Sequence, residues 1–251
     1  FAALLSSNPY YSQDETVGLD ELLSNIRLAK TDDRILGIYL EGGSLSMAPA
    51  SAKALRDALL DFKTSGKWII AYASSYGQTN YYVASVADKI YLNPTASIDW
   101  NGLSAQKMYY TRLMDKLGIE MQILKVGTFK SAVEPYFRTS MSEADRLQTQ
   151  QYIGGIWDEM KAAVSESRHI SVEELNRYAD LYMGLQPQEK YIEYGFADTL
   201  LYVQDMDSVL RVYTGTKDYN LLSTGSMTMV ERTPSKAKDK VAVIYAEGEI
   251  T

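Results

Sequence analysis

Leu19, Leu22, Leu23, Ile26 and Ala29 recur at helical spacing, and the apolar run from Ile35 to Leu40 that follows is bounded by Arg34 and the Gly42-Gly43 pair. The pattern predicts a helix and then a short buried strand. It repeats with a helix carrying Ala54, Leu55, Ala58, Leu59 and Phe62 and a strand from Trp68 to Ala73. A helical turn near Tyr81 to Val86 and a strand from Ile90 to Leu92 come next, then a helix from about Ala105 to Leu117 and a strand from Met121 to Val126. Strands alternating with helices of this length need crossover connections, so the fold class is α/β, with parallel strands covered by helices.

Beyond Lys130 the spacing becomes helical. Ser142 and Glu143 open a long helix running through Ser167, Ser171 with Glu174 forms a capping-box start for a second, and Gln188 to Tyr194 predicts a short third. From Tyr213 to Lys240 the chain turns rich in Thr, Ser, Gly and Lys with Pro234, the composition of a linker. Val241 to Tyr245 reads as a new strand. The expected organisation is one unit over residues 1–213, a linker over 214–240, and the opening strand of a further unit over 241–251. Gly37 to Gly43 and Val241 to Gly248 both run from apolar residues into an acidic residue and Gly, a similarity too short to count as a repeat.

Composition narrows the function. At 251 residues and 46% hydrophobic, the chain can bury an enzyme-sized core. A net charge of -7 without a basic cluster argues against nucleic acid as a partner. There is no cysteine, hence no disulfide framework and no thiol nucleophile, and the single histidine, His169, sits between two helix patterns as a surface-loop residue. A histidine-based zinc site or Ser-His-Asp triad is therefore hard to build. No run reaches the ~20 apolar residues that cross a bilayer. The chain opens at Phe1 and reads as a piece of a longer protein, with any anchor upstream.

The segment from Val126 to Pro135 carries the most chemistry. A predicted strand leaves through Gly127 and presents Lys130 among Phe129, Val133, Tyr136 and Phe137. A free lysine titrates near ~10.4, so it serves as a base near neutrality only if desolvation lowers that value by roughly 2 to 3 units. In a Ser-Lys protease the neutral amine takes the serine proton in place of histidine. A lysine that merely extends its stem along apolar surface is the bland alternative.

Gly127-Thr128-Phe129-Lys130-Ser131-Ala132-Val133-Glu134-Pro135 closely resembles the segment bearing the general-base lysine in the signal peptide peptidase A (protease IV) family of serine proteases. Asp32-Asp33-Arg34-Ile35-Leu36-Gly37-Ile38, Ser65-Gly66-Lys67, Tyr81-Tyr82-Val83-Ala84-Ser85, Ala87-Asp88-Lys89-Ile90-Tyr91 and Leu117-Gly118-Ile119 follow the same family in order. The resemblance runs from about Leu19 to Asp198 and implies the crotonase/Clp-protease fold. It further implies the long form of the family, in which two related repeats share one chain: the first, here, gives Lys130 as general base, and the second gives the serine. The nucleophile position falls on Gln78, with Thr79 and Asn80 where the family has glycines, so no nucleophile is expected in this chain. Ser131 follows the base and is a candidate to orient its amine, or simply caps a loop. Ser44, Ser74 and Ser75 miss the family position. Gly42-Gly43 falls where such folds place oxyanion donors, and in a unit without a nucleophile it reads as a tight turn.

What the resemblance implies about the whole protein is a serine endopeptidase with a Ser-Lys dyad that degrades cleaved signal peptides. It would be homo-oligomeric, need neither cofactor nor metal, and be held at the bacterial cytoplasmic membrane by a segment outside this chain, facing the periplasm or exterior. Two alternatives remain open on the fold alone: an acyl-CoA enzyme, and a non-catalytic oligomerisation scaffold. The 20 tyrosines, paired at Tyr10-Tyr11, Tyr81-Tyr82 and Tyr109-Tyr110, read mostly as packing residues. Family members place a strand before the helix at Leu19, whereas Phe1 to Val17 contains Asn8-Pro9 and no clear strand. Val241 to Tyr245 is accordingly expected to pair with the sheet of the first unit.

Overall fold

Side-chain parity in three short strands decides the layering. In the computed structural model, which describes residues 17–42 and 47–229, β1 (Gly37–Gly42), β2 (Trp68–Ala73), β3 (Lys89–Leu92) and β4 (Thr199–Leu200) form one parallel sheet in the order β1-β2-β3-β4. Ile38, Leu40, Ile69, Ala71, Ala73, Ile90 and Leu92 point to one face and join the main core. Tyr39, Ile70, Tyr72 and Tyr91 point to the other. Successive strand residues alternate faces, so a strand buried on both sides reads as the continuous apolar run seen in β2.

The main core is closed by α1 (Leu19–Thr31), which precedes the sheet, by α2 (Pro49–Lys63) and α3 (Gln78–Ala84), which make the short crossovers, and by helices from the long excursion between β3 and β4. That excursion contains α4 (Thr111–Leu117), α5 (Glu143–Arg168), α6 (Val172–Asp180) and α7 (Gln188–Glu193). Trp100, fully buried, donates its indole N–H to the Leu175 carbonyl at 2.9 Å and packs against Tyr81, Trp157 and Phe196, tying the excursion to the sheet. The opposite face is covered by α8 (Met206–Thr214), whose Met206 and Leu210 meet Ile70 and Tyr72.

Several expectations hold. Ser142 caps α5 by accepting from the Asp145 N–H at 3.1 Å, Ser171 and Glu174 form a capping box on α6, and His169 ends α5 as an exposed left-handed residue with φ of 57°. Tyr81 and Tyr82 are core residues.

Others are corrected. The helix predicted from about Ala105 is present only from Thr111, because the preceding residues are committed elsewhere: the Tyr110 N–H donates to the Pro135 carbonyl at 2.7 Å and Lys107 reaches Asp145. The predicted strand Met121 to Val126 joins no sheet. Its residues still alternate, with Ile123 and Lys125 half-buried and Leu124 and Val126 98% and 90% exposed, but a strand exists only through a lateral partner. α8 escaped the pattern reading altogether. Part of the segment read as linker lies on the first unit, since Asn25 Nδ2 donates to the Thr224 carbonyl at 2.9 Å and Met227 is buried in the main core. The expected pairing of Val241 to Tyr245 lies outside the described residues, as do Tyr10, Tyr11, Gly43 and Ser44.

The same anchor starts two strands. Asp88 accepts the Ile69 N–H at 2.8 Å and returns its own N–H to the Ile69 carbonyl, and Asp198 does the same with Ile90 at 2.9 and 2.8 Å. Asp198 also pairs with Arg168 and Lys89, each at 3.0 Å. Burial pushes its carboxyl up, but the Ile90 N–H and these two cations together outweigh that and hold it below the ordinary carboxylate value. A depressed folded pKa contributes stability above the unfolded value, and that contribution is lost as pH falls from about 4 toward the folded value. Asp198→Asn is expected to lower stability at pH 7 by about 2–3 kcal/mol and to flatten the loss of stability below pH ~4. Urea unfolding midpoints across pH 2.5–7 check both.

Candidate active site

Lys130 stands on an arm that the chain throws out between Trp100 and α5. The extended segment after α4 turns at Gly127, whose φ of 99° suits glycine, and Lys130 lies between that turn and the short 3-10 helix Glu134–Tyr136. The side chain of Lys130 is exposed and has no hydrogen-bond or ion-pair partner among the described residues. Its expected apolar collar is present but open: Phe129 is 56% exposed, Phe137 42% and Tyr136 37%, with Val133 half-buried. Among the described residues, nothing covers the Lys130 amine.

Beneath the turn lies a polar knot that the sequence did not reveal. Glu134 and Asp145 are 2% and 1% exposed, covered by immediate neighbours rather than by depth. Glu134 accepts from the Ser142 hydroxyl at 2.7 Å and the Ser142 N–H at 3.2 Å, and Lys125 Nζ approaches to 3.5 Å. Asp145 accepts from Lys107 Nζ through Oδ1 at 2.5 Å, and its Oδ2 finds no hydrogen-bond partner among the described residues. Burial pushes both carboxyls up, yet the Ser142 contacts and Lys125 bring Glu134 below its usual value, and Lys107 and Ser131 do the same for Asp145. Both carboxylates also sit at the start of α5, where the helix dipole favours negative charge. These four residues, Lys107, Lys125, Glu134 and Asp145, were missed because the pairs join positions far apart in sequence. The Ser142-x-x-Asp145 spacing signals only a cap.

The other candidate position is built differently. Gln78 is the first residue of α3, and its amide latches the loop after Trp100: Oε1 accepts the N–H groups of Asn101 and Gly102 at 2.9 and 3.0 Å, and Nε2 donates to the Gly102 carbonyl at 3.2 Å. Such a side chain is a structural bracket, and an amide has no hydroxyl to attack with. Ser74 and Ser75 are exposed on the bend after β2. Gly42 faces Ala73 and Tyr76 so closely that a Cβ there would lie 2.6 Å from the Ala73 Cβ, so tight packing already accounts for glycine. An open cleft of about 470 Å³ borders the latched loop at Asn101 and Leu103 and reaches Trp157 and Asp180. No cluster of acidic or histidine residues suited to a metal occurs among the described residues, and no helix among them is long and apolar enough to cross a membrane.

A parallel sheet with short helical crossovers, followed by a helical excursion that presents a lysine arm, places the chain in the crotonase/Clp-protease-like class. Residues 61–214 match the model of peptidase family S49, and the chain belongs to that family. It is similar to Protease 4 of Salmonella typhi, 32% identical over 92% of this chain and 39% of that protein. The chloroplastic serine protease SPPA of Arabidopsis thaliana is 27% identical over 94% of this chain and 35% of that protein. A putative signal peptide peptidase SppA of Enterococcus faecium is 23% identical over 74% and 54%. The chain therefore spans between about a third and a half of the length of these relatives. Family membership, not the fold, separates it from the acyl-CoA enzymes that share the architecture.

The latch makes a direct prediction. Gln78→Ala removes three hydrogen bonds at a half-buried site and is expected to cost about 1–2 kcal/mol. Amide hydrogen exchange at Asn101 and Gly102 should quicken, whereas Gln78→Glu, which keeps the acceptor, should restore most of that protection. Unchanged exchange in Gln78→Ala would show that the latch holds nothing.

Proposed function

We propose that this chain is the base-bearing unit of an S49 serine protease: Lys130 is the general base of a Ser-Lys dyad, and the nucleophilic serine comes from a second S49 unit. The observation that carries the reading is the state of Lys130, which has no hydrogen-bond or ion-pair partner among the described residues and is held among apolar residues that are themselves uncovered. A second unit seated on the arm would bury Leu124, Val126, Phe129 and Phe137 and, in the same step, strip water from the amine. Burial of that apolar surface favours docking, and desolvation lowers the lysine pKa toward the working range of a base. The length of the relatives, two to three times the matched region, leaves room for such a unit.

In this mechanism the neutral Lys130 amine removes the serine hydroxyl proton as the oxygen attacks a peptide carbonyl. The resulting ammonium then protonates the departing amine. Water repeats the sequence to release the acyl group. Gln78 takes no part in the chemistry. The substrates, by likeness to a relative named as a putative signal peptide peptidase, are cleaved signal peptides, and the proposed whole protein works as an oligomer at the outer face of the bacterial cytoplasmic membrane.

In the intact protein Lys130→Ala should lower peptide hydrolysis by about 10²–10⁴-fold, the usual contribution of a positioned base, with assembly unchanged by light scattering. The chain by itself should hydrolyse no peptide and take up no fluorophosphonate at its serines. Labelling of a serine in the isolated chain, or retained turnover in Lys130→Ala, rules the assignment out.

A further inference from the structure

Two arginines share a small recess on the lysine arm. The recess, of about 160 Å³, is lined by Tyr109, Thr111, Arg112, Arg138 and Thr139. One wall comes from the residues at the start of α4 and the other from those just after the 3-10 helix, and the two are pinned together. The Tyr110 N–H donates to the Pro135 carbonyl at 2.7 Å, the Thr111 hydroxyl donates to the Arg138 carbonyl at 2.6 Å, and the Tyr110 ring stacks on Tyr136 at a centroid distance of 6.0 Å. The recess is thus built into the arm on which Lys130 stands.

No carboxylate lines it. Arg112 has no hydrogen-bond or ion-pair partner among the described residues. Arg138 is engaged only through Nε, which donates to the Ser140 carbonyl at 3.2 Å and stands 4.0 Å from Glu134, a carboxylate already answered by Ser142 and Lys125. The Tyr109 hydroxyl is buried and has no hydrogen-bond partner among the described residues, an uncommon state for a buried polar group. Two guanidinium groups in one recess repel each other, and an anion between them relieves that repulsion. The planar fork of arginine suits a carboxylate or a phosphate. The surrounding field has the same sign, since residues 101–142 hold six lysines and arginines against three acids in a chain of net charge -7.

We propose that this recess binds the free C-terminal carboxylate of a peptide substrate, with Arg112 and Arg138 as its two cations. The inference rests on the reading of the chain as part of a protease acting on cleaved signal peptides. A cleaved peptide differs from the same sequence inside a precursor by one group at that end, the carboxylate that cleavage creates. With an amide there instead, the site gains no charge pairing, and a terminal amide turns N–H donors toward arginine donors. A base and a carboxylate anchor on one arm hold a peptide by its new end and direct the cut upstream of it, so the recess selects peptides that have already been released. A lipid phosphate offers arginine the same fork. The peptide is favoured because the recess shares its arm with Lys130 and the chain belongs to a peptidase family.

The test compares two apolar peptides labelled with fluorescein at the N-terminus and identical except at the other end, one a free carboxylate and one an amide. Their binding to this chain is read by fluorescence anisotropy. The acid is expected to bind about tenfold more tightly, the discrimination of a single charge-assisted contact. Arg112→Gln should bring the acid down to the affinity of the amide, and Arg112→Lys, which keeps the charge and loses the fork, should retain only part of the difference. Arg138→Gln gives a second route to the same loss should Arg112→Gln fail to fold, with circular dichroism reporting the fold of each variant. Lys116→Gln, which removes a cation of α4 outside the recess, should leave the ratio of acid to amide unchanged. Equal affinity for acid and amide, including no binding of either, overturns the inference, as does a preference that survives both arginine substitutions. It is overturned as well if the peptides bind alike while Arg112→Gln releases the chain from phosphatidylglycerol vesicles, for the recess then serves a lipid phosphate. Anisotropy needs no turnover, so the result is independent of whether Lys130→Ala abolishes hydrolysis in the intact protein, and failure of one reading is not failure of the other.

Discussion

From Asn101 to Ala144 a single residue is buried, and it is a carboxylate, Glu134. The whole lysine arm is therefore held to the body by polar contacts rather than by an apolar core. Such an anchor is demanding: a buried carboxylate costs several kcal/mol unless its oxygens and its charge are both answered. Here Ser142 answers the oxygens of Glu134 and Lys125 its charge, while Lys107 and the start of α5 answer the charge of Asp145, whose Oδ2 is left without a hydrogen-bond partner among the described residues. Hydrogen bonds and ion pairs are directional where apolar contact is not. A polar anchor consequently fixes the register and angle of the turn that carries Lys130 while leaving the outer, apolar side of the arm uncommitted.

The body of the molecule uses the same economy on its sheet. Ala87-Asp88 and Ala197-Asp198 each precede a strand, and each aspartate closes a two-point bond with the strand before it. Asp198 then recruits Arg168, at the end of α5. α5 is thus tied at one end to the sheet through Asp198 and at the other to the arm through Ser142 and Asp145. A helix of 26 residues is close to 39 Å long, so it works as a rigid strut between the sheet core and the turn at Lys130. The turn that carries Lys130 is thus joined to the sheet by a rod whose two ends are both defined by carboxylates.

What the sequence made legible follows the range of the interactions concerned. β2 was read at its true limits because its apolar run is continuous, and the starts of α5 and α6 were read because Ser142 and Ser171 act on N–H groups three residues away. The Lys130 turn was legible as a local motif with Gly127 at its entry. The knot under it was not, since Lys107–Asp145 spans 38 residues and no local pattern distinguishes a lysine that will be paired from one that will not. The Gln78 latch is likewise a contact across 23 residues, so its position pointed only to a missing nucleophile and not to a bracket. Met121 to Val126 failed for the complementary reason: alternation reports that a segment is extended, and pairing depends on what lies alongside.

These constraints bear on why Lys130, proposed above as a base, is left in the open. A lysine buried within a single folded unit would have to be desolvated at the expense of that unit's own stability, and folded domains have only about 5–15 kcal/mol to draw on. Holding Lys130 on a polar-anchored arm, with Phe129, Phe137 and Val126 uncovered around it, defers the desolvation to an association step in which the burial of those side chains drives it. On the proposed reading, the lone unit then keeps a solvent-exposed lysine and a glutamine bracket at position 78, and neither half of a proteolytic site exists until the apolar side of the arm is covered. On that reading, the exposed hydrophobic surface and the expected inactivity of the single chain are one property, since the same contact that covers the first would also end the second.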